Sequence, residues 1–123
     1  MQTPSQQFGK SSEIQAAAYL KSLGYQILGL NYRTRMGEID IIARDHDSLV
    51  FVEVKARKST EFGNPKHAVT RQKQIRLARA ALYYLKSTRQ MNQKARFDVV
   101  AIDYDAGPSH IELIQNAFES PYR

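Results

Sequence analysis

Residues 37–55 read GEIDIIARDHDSLVFVEVK, and this stretch decides the fold of the chain. Two apolar runs flank a polar segment, DHDS at residues 45–48, which is the pattern of a β-hairpin. A turn that pivots between His46 and Asp47 fixes the register and sets Asp40 opposite Glu53. Directly opposed side chains share one face of a sheet, with Cβ atoms about 4.5–5.5 Å apart. The stretch therefore predicts two carboxylates in close contact.

Two such carboxylates repel each other unless a cation lies between them. Mg²⁺ suits that position, because it is a hard ion that binds one or two carboxylates together with water and phosphate oxygens. Lys55 follows Glu53 by two residues and projects from the same face of the strand. Two acids and a lysine on one face are the parts of a metal-dependent site that cleaves phosphodiesters. The register also sets Glu38 opposite Lys55, either as an ion-pair partner of that lysine or as an additional acid of the site.

Alternation along the hairpin predicts which side chains share a face of the sheet. The first face receives only apolar residues, namely Ile39, Ile41, Ala43, Val50, Val52 and Val54. The second face receives Ile42 and Phe51 near the turn, followed by Asp40, Glu53 and Lys55. Because both faces are apolar near the turn, we expect helices packed on both sides of the sheet.

Periodicity along the rest of the chain predicts the element order α-β-β-β-α-β-β. The first helix should run from Ser12 to Leu23, and the second from a start between Asn64 and Thr70 to about Thr88. The predicted strands are residues 25–32, 37–44, 49–55, 97–102 and 110–114. We therefore predict an α/β fold, a mixed five-stranded sheet flanked by helices. It forms a single domain over residues 11–118, between a flexible N-terminal arm, residues 1–10, and a C-terminal tail, residues 119–123.

The composition narrows the class of protein. The chain has 123 residues, of which 42% are hydrophobic and 24% charged, as in a globular domain. It has no cysteine, which excludes disulfides, thiolate metal sites and a cysteine nucleophile. Its apolar runs are too short to span a membrane and its N-terminus lacks an apolar secretory segment, so we expect no membrane partner and a cytoplasmic location. The net charge of +6 favours a polyanionic partner, with nucleic acid first.

Basic residues stand on both sides of the acids along the chain. Arg33 and Arg35 precede them in a loop, where they either grip phosphates or are solvated charges. The basic candidates that follow the acids are Arg57, Lys58, Arg71, Lys73 and Arg76. A phosphate-binding surface made of such residues would lose affinity as salt is raised.

Glu13 lies near the start of the predicted first helix, and two interpretations are open. Its carboxylate either complements the positive end of the helix or is a third acid directed at the metal site.

The spacing of Asp40, twelve intervening residues and then Glu53-Val54-Lys55 resembles the PD-(D/E)XK motif of the restriction-endonuclease-like superfamily. The context is more specific. Glu13 on a helix, GEID opening a strand, FVEVK on the next strand and RFDVVAI after a long helix resemble the YraN-like family of small bacterial proteins. The resemblance extends from about Gly9 to Phe118. It includes Arg57, Phe62-Gly63, Lys73, Arg96-Phe97-Asp98 and Asn116-Ala117-Phe118. One departure is Ser12, where that family usually has glycine.

The YraN-like family is in turn similar to archaeal Holliday-junction resolvases. That likeness implies a restriction-endonuclease-like core, a nuclease acting on DNA, which includes branched DNA, and a homodimer. It implies catalytic roles for Glu13, Asp40, Glu53 and Lys55. Mg²⁺, or Mn²⁺, would be held by Asp40, Glu53 and the Val54 carbonyl, with Glu13 at the metal or its water. The alternatives are a nucleic-acid-binding module that keeps the fold without catalysis, and a protein-interaction subunit.

Overall fold

The structure, a computed structural model, describes residues 4–57, 69–104 and 110–121, with side chains from residue 11 onward. The elements are, in chain order, α1 (Pro4–Ser22), β1 (Gln26–Arg33), β2 (Glu38–Asp45), β3 (Ser48–Arg57), α2 (Arg71–Ser87), β4 (Lys94–Asp103) and β5 (His110–Phe118). This order confirms the predicted α/β architecture. Among the described residues, no helix is long and apolar enough to cross a membrane.

The strands lie in the sheet in chain order, β1-β2-β3-β4-β5. Neighbouring strands are antiparallel except for β3 and β4, which are parallel. Parallel neighbours need a crossover connection, and α2 lies within that connection. The sheet is therefore mixed, as predicted, with β1 and β5 at its edges.

One helix covers each face of the sheet. α1 packs on one face, in a cluster of buried residues that includes Ala16, Ala17, Leu20, Ile41, Ala43, Val50, Val52, Val100 and Ile102. α2 packs on the opposite face, in a cluster that includes Leu77, Ala78, Ala80, Ala81, Ile39, Ile42, Phe51, Phe97 and Val99. These two clusters explain why the central strands are apolar on both sides.

The position of Ile39 corrects the predicted faces. Strict alternation would set Ile39 beside Ile41, but Ile39 packs under α2 with Phe51. The ladder between β2 and β3 runs from the turn only as far as the pair Ile41–Val52. Beyond that pair the alternation of the hairpin no longer determines which way a side chain points. The predicted register is thus confirmed near the turn, and the ladder ends just before Asp40.

The predicted start of the first helix was wrong, and the predicted start of the second helix is confirmed. α1 begins at Pro4, so the predicted start at Ser12 was wrong. Ser12 is buried and its hydroxyl lies 3.0 Å from the hydroxyl of Tyr104, so the side chain that resembles an N-cap makes a tertiary hydrogen bond instead. α2 begins within the predicted range, because Thr70 is its N-cap and accepts a hydrogen bond from the backbone N–H of Lys73.

β4 contains a fully buried carboxylate, Asp98. It accepts hydrogen bonds from the Tyr25 hydroxyl (3.0 Å), from Arg96 Nε (3.0 Å) and from the backbone N–H of Asn116 (2.9 Å). Asn116 has a φ of 50° and lies where the pairing of β4 with β5 shifts its register. Arg96 also contacts Asp45 on β2 at 2.7 Å. Asp98 therefore holds an irregular edge strand against the centre of the sheet.

Candidate metal and nucleic-acid site

Asp40 and Glu53 meet where β2 separates from β3. They are not ladder partners, because the pairing has ended at Ile41. Instead, Oδ2 of Asp40 accepts a hydrogen bond of 2.8 Å from the backbone N–H of Val54. The carboxylate thus satisfies a β3 donor that is paired with no β2 carbonyl at this point. This contact holds the side chain of Asp40 next to that of Glu53.

Glu53 is almost completely buried, with 2% of its surface exposed, and its carboxyl group lies close enough to that of Asp40 for the two to interact electrostatically. Burial raises the pKa of Asp40 to about 8, and the negative charge of Glu53 adds to the rise. The hydrogen bond from the Val54 N–H favours the ionised form and opposes this rise only in part. At neutral pH Asp40 is therefore mainly protonated.

Lys73 supplies a positive charge next to the pair. It lies in the first turn of α2, and its ammonium group forms an ion pair with the carboxylate of Glu53. Burial alone would lower the pKa of this lysine, but the charges of Glu53, Asp40 and Glu38 outweigh burial and raise it. Lys73 therefore remains an ammonium ion and compensates the buried charge of Glu53.

Replacing Lys73 by Met should lower the free energy of unfolding. The substitution leaves Glu53 buried without its counter-ion, which costs 3–5 kcal/mol for a fully buried pair and far less for an exposed one, so about 1–3 kcal/mol is expected here. Urea unfolding at pH 7 measures the loss. Lys86→Met, on an exposed residue in the last turn of the same helix, is the matched control. Equal unfolding midpoints for the two variants would contradict the role given to Lys73.

Glu13 is the third acid near the pair. It does not lie in the first turn of α1, so its interpretation as a charge at the helix end was wrong. Burial and the negative charge of Glu38 raise the pKa of Glu13, and the charge of Glu53 contributes in the same direction, while a hydrogen bond with Asn31 lowers it. Its Oε1 atom is buried and has no hydrogen-bond partner among the described residues. This oxygen is therefore available as a ligand.

A cleft of about 660 Å³ opens over the acids, between the β1–β2 turn and α2. Its acidic lining residues are Glu38, Asp40 and Glu53. Its basic lining residues are Arg33, Arg35, Lys73 and Arg76. The cleft therefore places a carboxylate pair among cationic groups, an arrangement that suits a metal ion together with a phosphate group.

Other predicted site residues lie outside this cleft. Those that do not line it, among the described residues, are Glu13, Val54, Lys55, Arg57 and Arg71. Glu38 lines the cleft and forms an ion pair of 3.4 Å with Arg33, its ladder partner on β1. The ladder between β2 and β3 ends before the predicted pair of Glu38 and Lys55, so its register does not set these two residues opposite each other. Lys58 lies outside the described residues.

Sequence reasoning missed six lining residues of the cleft, Thr34, Met36, Gly37, Thr70, Gln72 and Leu77. Thr34 and Met36 belong to the β1–β2 turn, and the glycine that follows them at residue 37 is the usual signal of such a turn. Gln72 precedes Lys73 in α2, and only the fold brings it to the cleft. The turn could have been located from the sequence, but its position beside the acids could not.

The donor set of the site fits a hard divalent cation. Asp40, Glu53 and the Val54 carbonyl would supply oxygen ligands, and Glu13 adds an unpartnered oxygen. Within the described parts of the chain, no three acidic or histidine side chains form a complete metal-binding group by themselves. Mg²⁺ normally takes one or two carboxylates and completes its shell with water and phosphate oxygens. Mn²⁺ accepts the same ligands.

The proton on Asp40 predicts how stability depends on pH. The folded chain retains a proton on Asp40 that the unfolded chain, with a pKa near 3.8, has lost. The associated stability is complete below pH 3.8 and is lost as pH rises towards 8. Between pH 6 and pH 8 we expect the wild type to lose on the order of 1–2 kcal/mol more than Asp40→Asn, which has no proton to release. Urea unfolding at both pH values measures the difference, and parallel pH profiles would contradict it.

Comparison with known proteins identifies the family. The model of the "Uncharacterised protein family UPF0102" matches residues 12–102. A UPF0102 protein of Syntrophus aciditrophicus is 53% identical over 114 residues, covering 93% of this chain and 90% of its own length. UPF0102 proteins of Desulfosudis oleivorans and Geobacter metallireducens are 49% and 47% identical, over 94% and 93% of this chain and 92% and 93% of their own lengths. The YraN-like resemblance is thereby confirmed, and the chain belongs to the UPF0102 family.

Proposed function

We propose that this protein is a metal-dependent nuclease of the PD-(D/E)XK type, which hydrolyses phosphodiester bonds of DNA. The supporting observation is the close pair of Asp40 and Glu53, held in a cleft whose lining includes the four basic residues Arg33, Arg35, Lys73 and Arg76. A buried carboxylate pair is costly to the fold unless it binds a cation or a proton. A surrounding cationic surface is what a polyanionic substrate requires.

The residues of the site divide into those that hold the ion and those that hold the substrate. Asp40 and Glu53 would bind Mg²⁺ or Mn²⁺ with the Val54 carbonyl, and Glu13 would accept a hydrogen bond from water at this ion. The bound ion would polarise the phosphate and lower the pKa of water. Asp40 must first release its proton, so we expect activity to rise with pH up to about 8.

The basic residues act on the phosphate backbone. Arg33, Arg35 and Arg76 would bind phosphate oxygens, which positions the strand without reading its sequence. The lysine role that the motif gives to Lys55 falls to Lys73 in this arrangement, because Lys73 contacts Glu53 and lines the cleft. Its ammonium group would stabilise the charge that develops on the phosphate. Assembly as a homodimer, which would supply two such sites for branched DNA, is part of the same proposal.

A cleavage assay tests this proposal. The substrates are a four-way junction, a flapped duplex, a linear duplex, single-stranded DNA and RNA, each labelled at one end. We expect cleavage of at least one DNA substrate with Mg²⁺ or Mn²⁺ and none with EDTA. Cleavage that is unaffected by EDTA, or no cleavage of any substrate at pH 8 with either ion, would contradict the proposal.

A second candidate function is favoured by Lys73. Its ion pair with Glu53, together with the proton on Asp40, neutralises the acids without any metal. A protein that uses the cleft only to bind nucleic acid would have this arrangement permanently. Salt-dependent DNA binding that is unchanged in Asp40→Asn and Glu53→Gln, without cleavage, would support this binding module over the nuclease.

A further inference from the structure

The turn between β1 and β2 is closed by hydrogen bonds. It lies at the rim of the cleft that contains Asp40 and Glu53, hereafter the acid cleft. Thr34 closes it from both sides, because its backbone N–H and its hydroxyl both donate to the Gly37 carbonyl, at 2.9 and 3.0 Å. The same hydroxyl oxygen accepts hydrogen bonds from the backbone N–H groups of Met36 and Gly37, each at 3.1 Å. One side chain thus fixes the backbone of the whole turn.

Gly37 presses the turn against α2. A Cβ atom at this position would lie 2.6 Å from the carbonyl oxygen of Arg76, which is closer than real contacts allow. The turn therefore packs backbone to backbone on the helix that supplies Lys73 to the site. Its distance from the acids is fixed by the fold, so little conformational entropy is lost when a ligand contacts it.

Met36 is the large apolar residue of this turn. This residue is 40% exposed, lines the acid cleft and directly follows Arg35 in the sequence. Packing of the core does not account for it, since it belongs to neither buried cluster. A large apolar side chain at the rim of a cationic cleft is poorly suited to bind phosphate, but it is suited to contact the faces of bases.

We propose that Met36 is a wedge that inserts between neighbouring bases of the nucleic acid bound in the cleft. The inference rests on the proposed function and deepens it by naming the substrate class. Apolar side chains, methionine among them, unstack a base step in this way when the flanking residues hold the backbone. Arg33 and Arg35, which closely precede Met36, would hold the backbone here, and the side chain of Arg33 is 76% exposed and contacts Glu38 at 3.4 Å.

The wedge predicts a preference among substrates. Unstacking a base step costs a few kcal/mol in a paired duplex and least where the stack is already weakened by a mismatch or by single-stranded character. The preferred substrate is therefore a nucleic acid with a weakened base step next to the phosphate held by the acids. A continuous, fully paired duplex should bind less tightly.

Fluorescence of 2-aminopurine tests the wedge without requiring catalysis. The probe duplexes carry this base beside a single mismatch or in a fully paired sequence, and the protein carries Asp40→Asn so that the DNA stays intact. Binding of this parent to the mismatched duplex should raise the fluorescence. With Met36→Ser added, both the rise and the preference for the mismatch should fall by about fivefold or more, the loss of roughly 1 kcal/mol of wedge contact. Met91→Ser, on an exposed methionine outside the cleft, is the matched control and should equal the parent.

The outcomes separate this inference from the nuclease proposal. An equal rise and an equal mismatch preference in the Met36→Ser and Met91→Ser proteins would overturn the wedge, even if the wild type cleaves DNA. A wild type that cleaves nothing, while Met36→Ser still loses the fluorescence rise, would overturn the nuclease and support the wedge. Absence of binding to every duplex would overturn both.

Discussion

Replacing Asp40 by Asn or Glu53 by Gln should lower the rate of metal-dependent DNA cleavage by about a thousandfold or more. Each substitution keeps the shape of the side chain and removes one negative charge from the site of the ion. A thousandfold loss corresponds to about 4 kcal/mol of transition-state stabilisation, which is within what a bound metal supplies. Single-turnover cleavage at pH 8 with saturating Mg²⁺ measures the loss.

The matched control for these two variants is Glu112→Gln. Glu112 is an exposed carboxylate on β5, and it lies away from the acid cleft. Its neutralisation changes the net charge of the protein by the same amount, so it separates the local role of the acids from a general electrostatic effect. Rates for Asp40→Asn and Glu53→Gln that equal the rate of this control would contradict the catalytic assignment.

Replacing Asp98 by Ala should cost about 3–5 kcal/mol of unfolding free energy. The carboxylate is fully buried and accepts hydrogen bonds from Tyr25, Arg96 and the backbone of Asn116. Its removal takes the acceptor away from these three donors and leaves the partly buried guanidinium of Arg96 with less compensating charge. Chemical unfolding measures the cost.

Asp47→Ala is the control for this second prediction. Asp47 also pairs with a cation, Lys94 at 2.9 Å, but both side chains are exposed at the hairpin turn. Exposed pairs contribute little to stability, so the control should unfold close to the wild type. An Asp98→Ala protein as stable as this control would contradict the structural role of the buried network.

The fold was predictable where the sequence has a regular period. The hairpin turn, the order of helices and strands along the chain and the range for the start of α2 follow from alternation, polar turns and helix-start signals, each a local property of the chain. Prediction failed where a residue that resembles a local helix signal instead contacts a residue distant in the sequence. Ser12 looks like an N-cap and instead bonds to Tyr104, so the helix extends back to Pro4.

The site was only partly predictable for a related reason. The turn residues set the register of β2 and β3, and extrapolation along it placed Asp40 and Glu53 together. The extrapolated register holds as far as the pair Ile41–Val52. Beyond that pair, a hydrogen bond from the Val54 N–H holds the side chain of Asp40 next to Glu53. Spacing along a strand also singled out Lys55, whereas the contact with Glu53 is made by Lys73 from a helix that packs on the sheet. The spacing of residues along one strand cannot indicate a contact made by a residue of a helix.

Some residues that support the family resemblance have structural explanations. Asp98 holds the backbone of Asn116, and Phe97 stacks on Phe118 with ring centroids 4.8 Å apart. Both contacts join β4 to the edge strand β5. A lone acidic residue inside the apolar run FDVVAI is itself a signal of a buried, hydrogen-bonded carboxylate. These motif positions therefore stabilise the sheet, and they do not line the cleft.

The most direct test of the central claim is the anomalous scattering of Mn²⁺ in crystals soaked at about pH 8.5, where Asp40 has released its proton. We predict one strong peak at about 2.0–2.3 Å from carboxylate oxygens of both Asp40 and Glu53. We also predict that the ammonium group of Lys73 moves away from Glu53 when the ion binds. Saturating Mn²⁺ with no peak between these carboxylates, and with Lys73 still paired to Glu53, would contradict a metal-dependent site in this cleft.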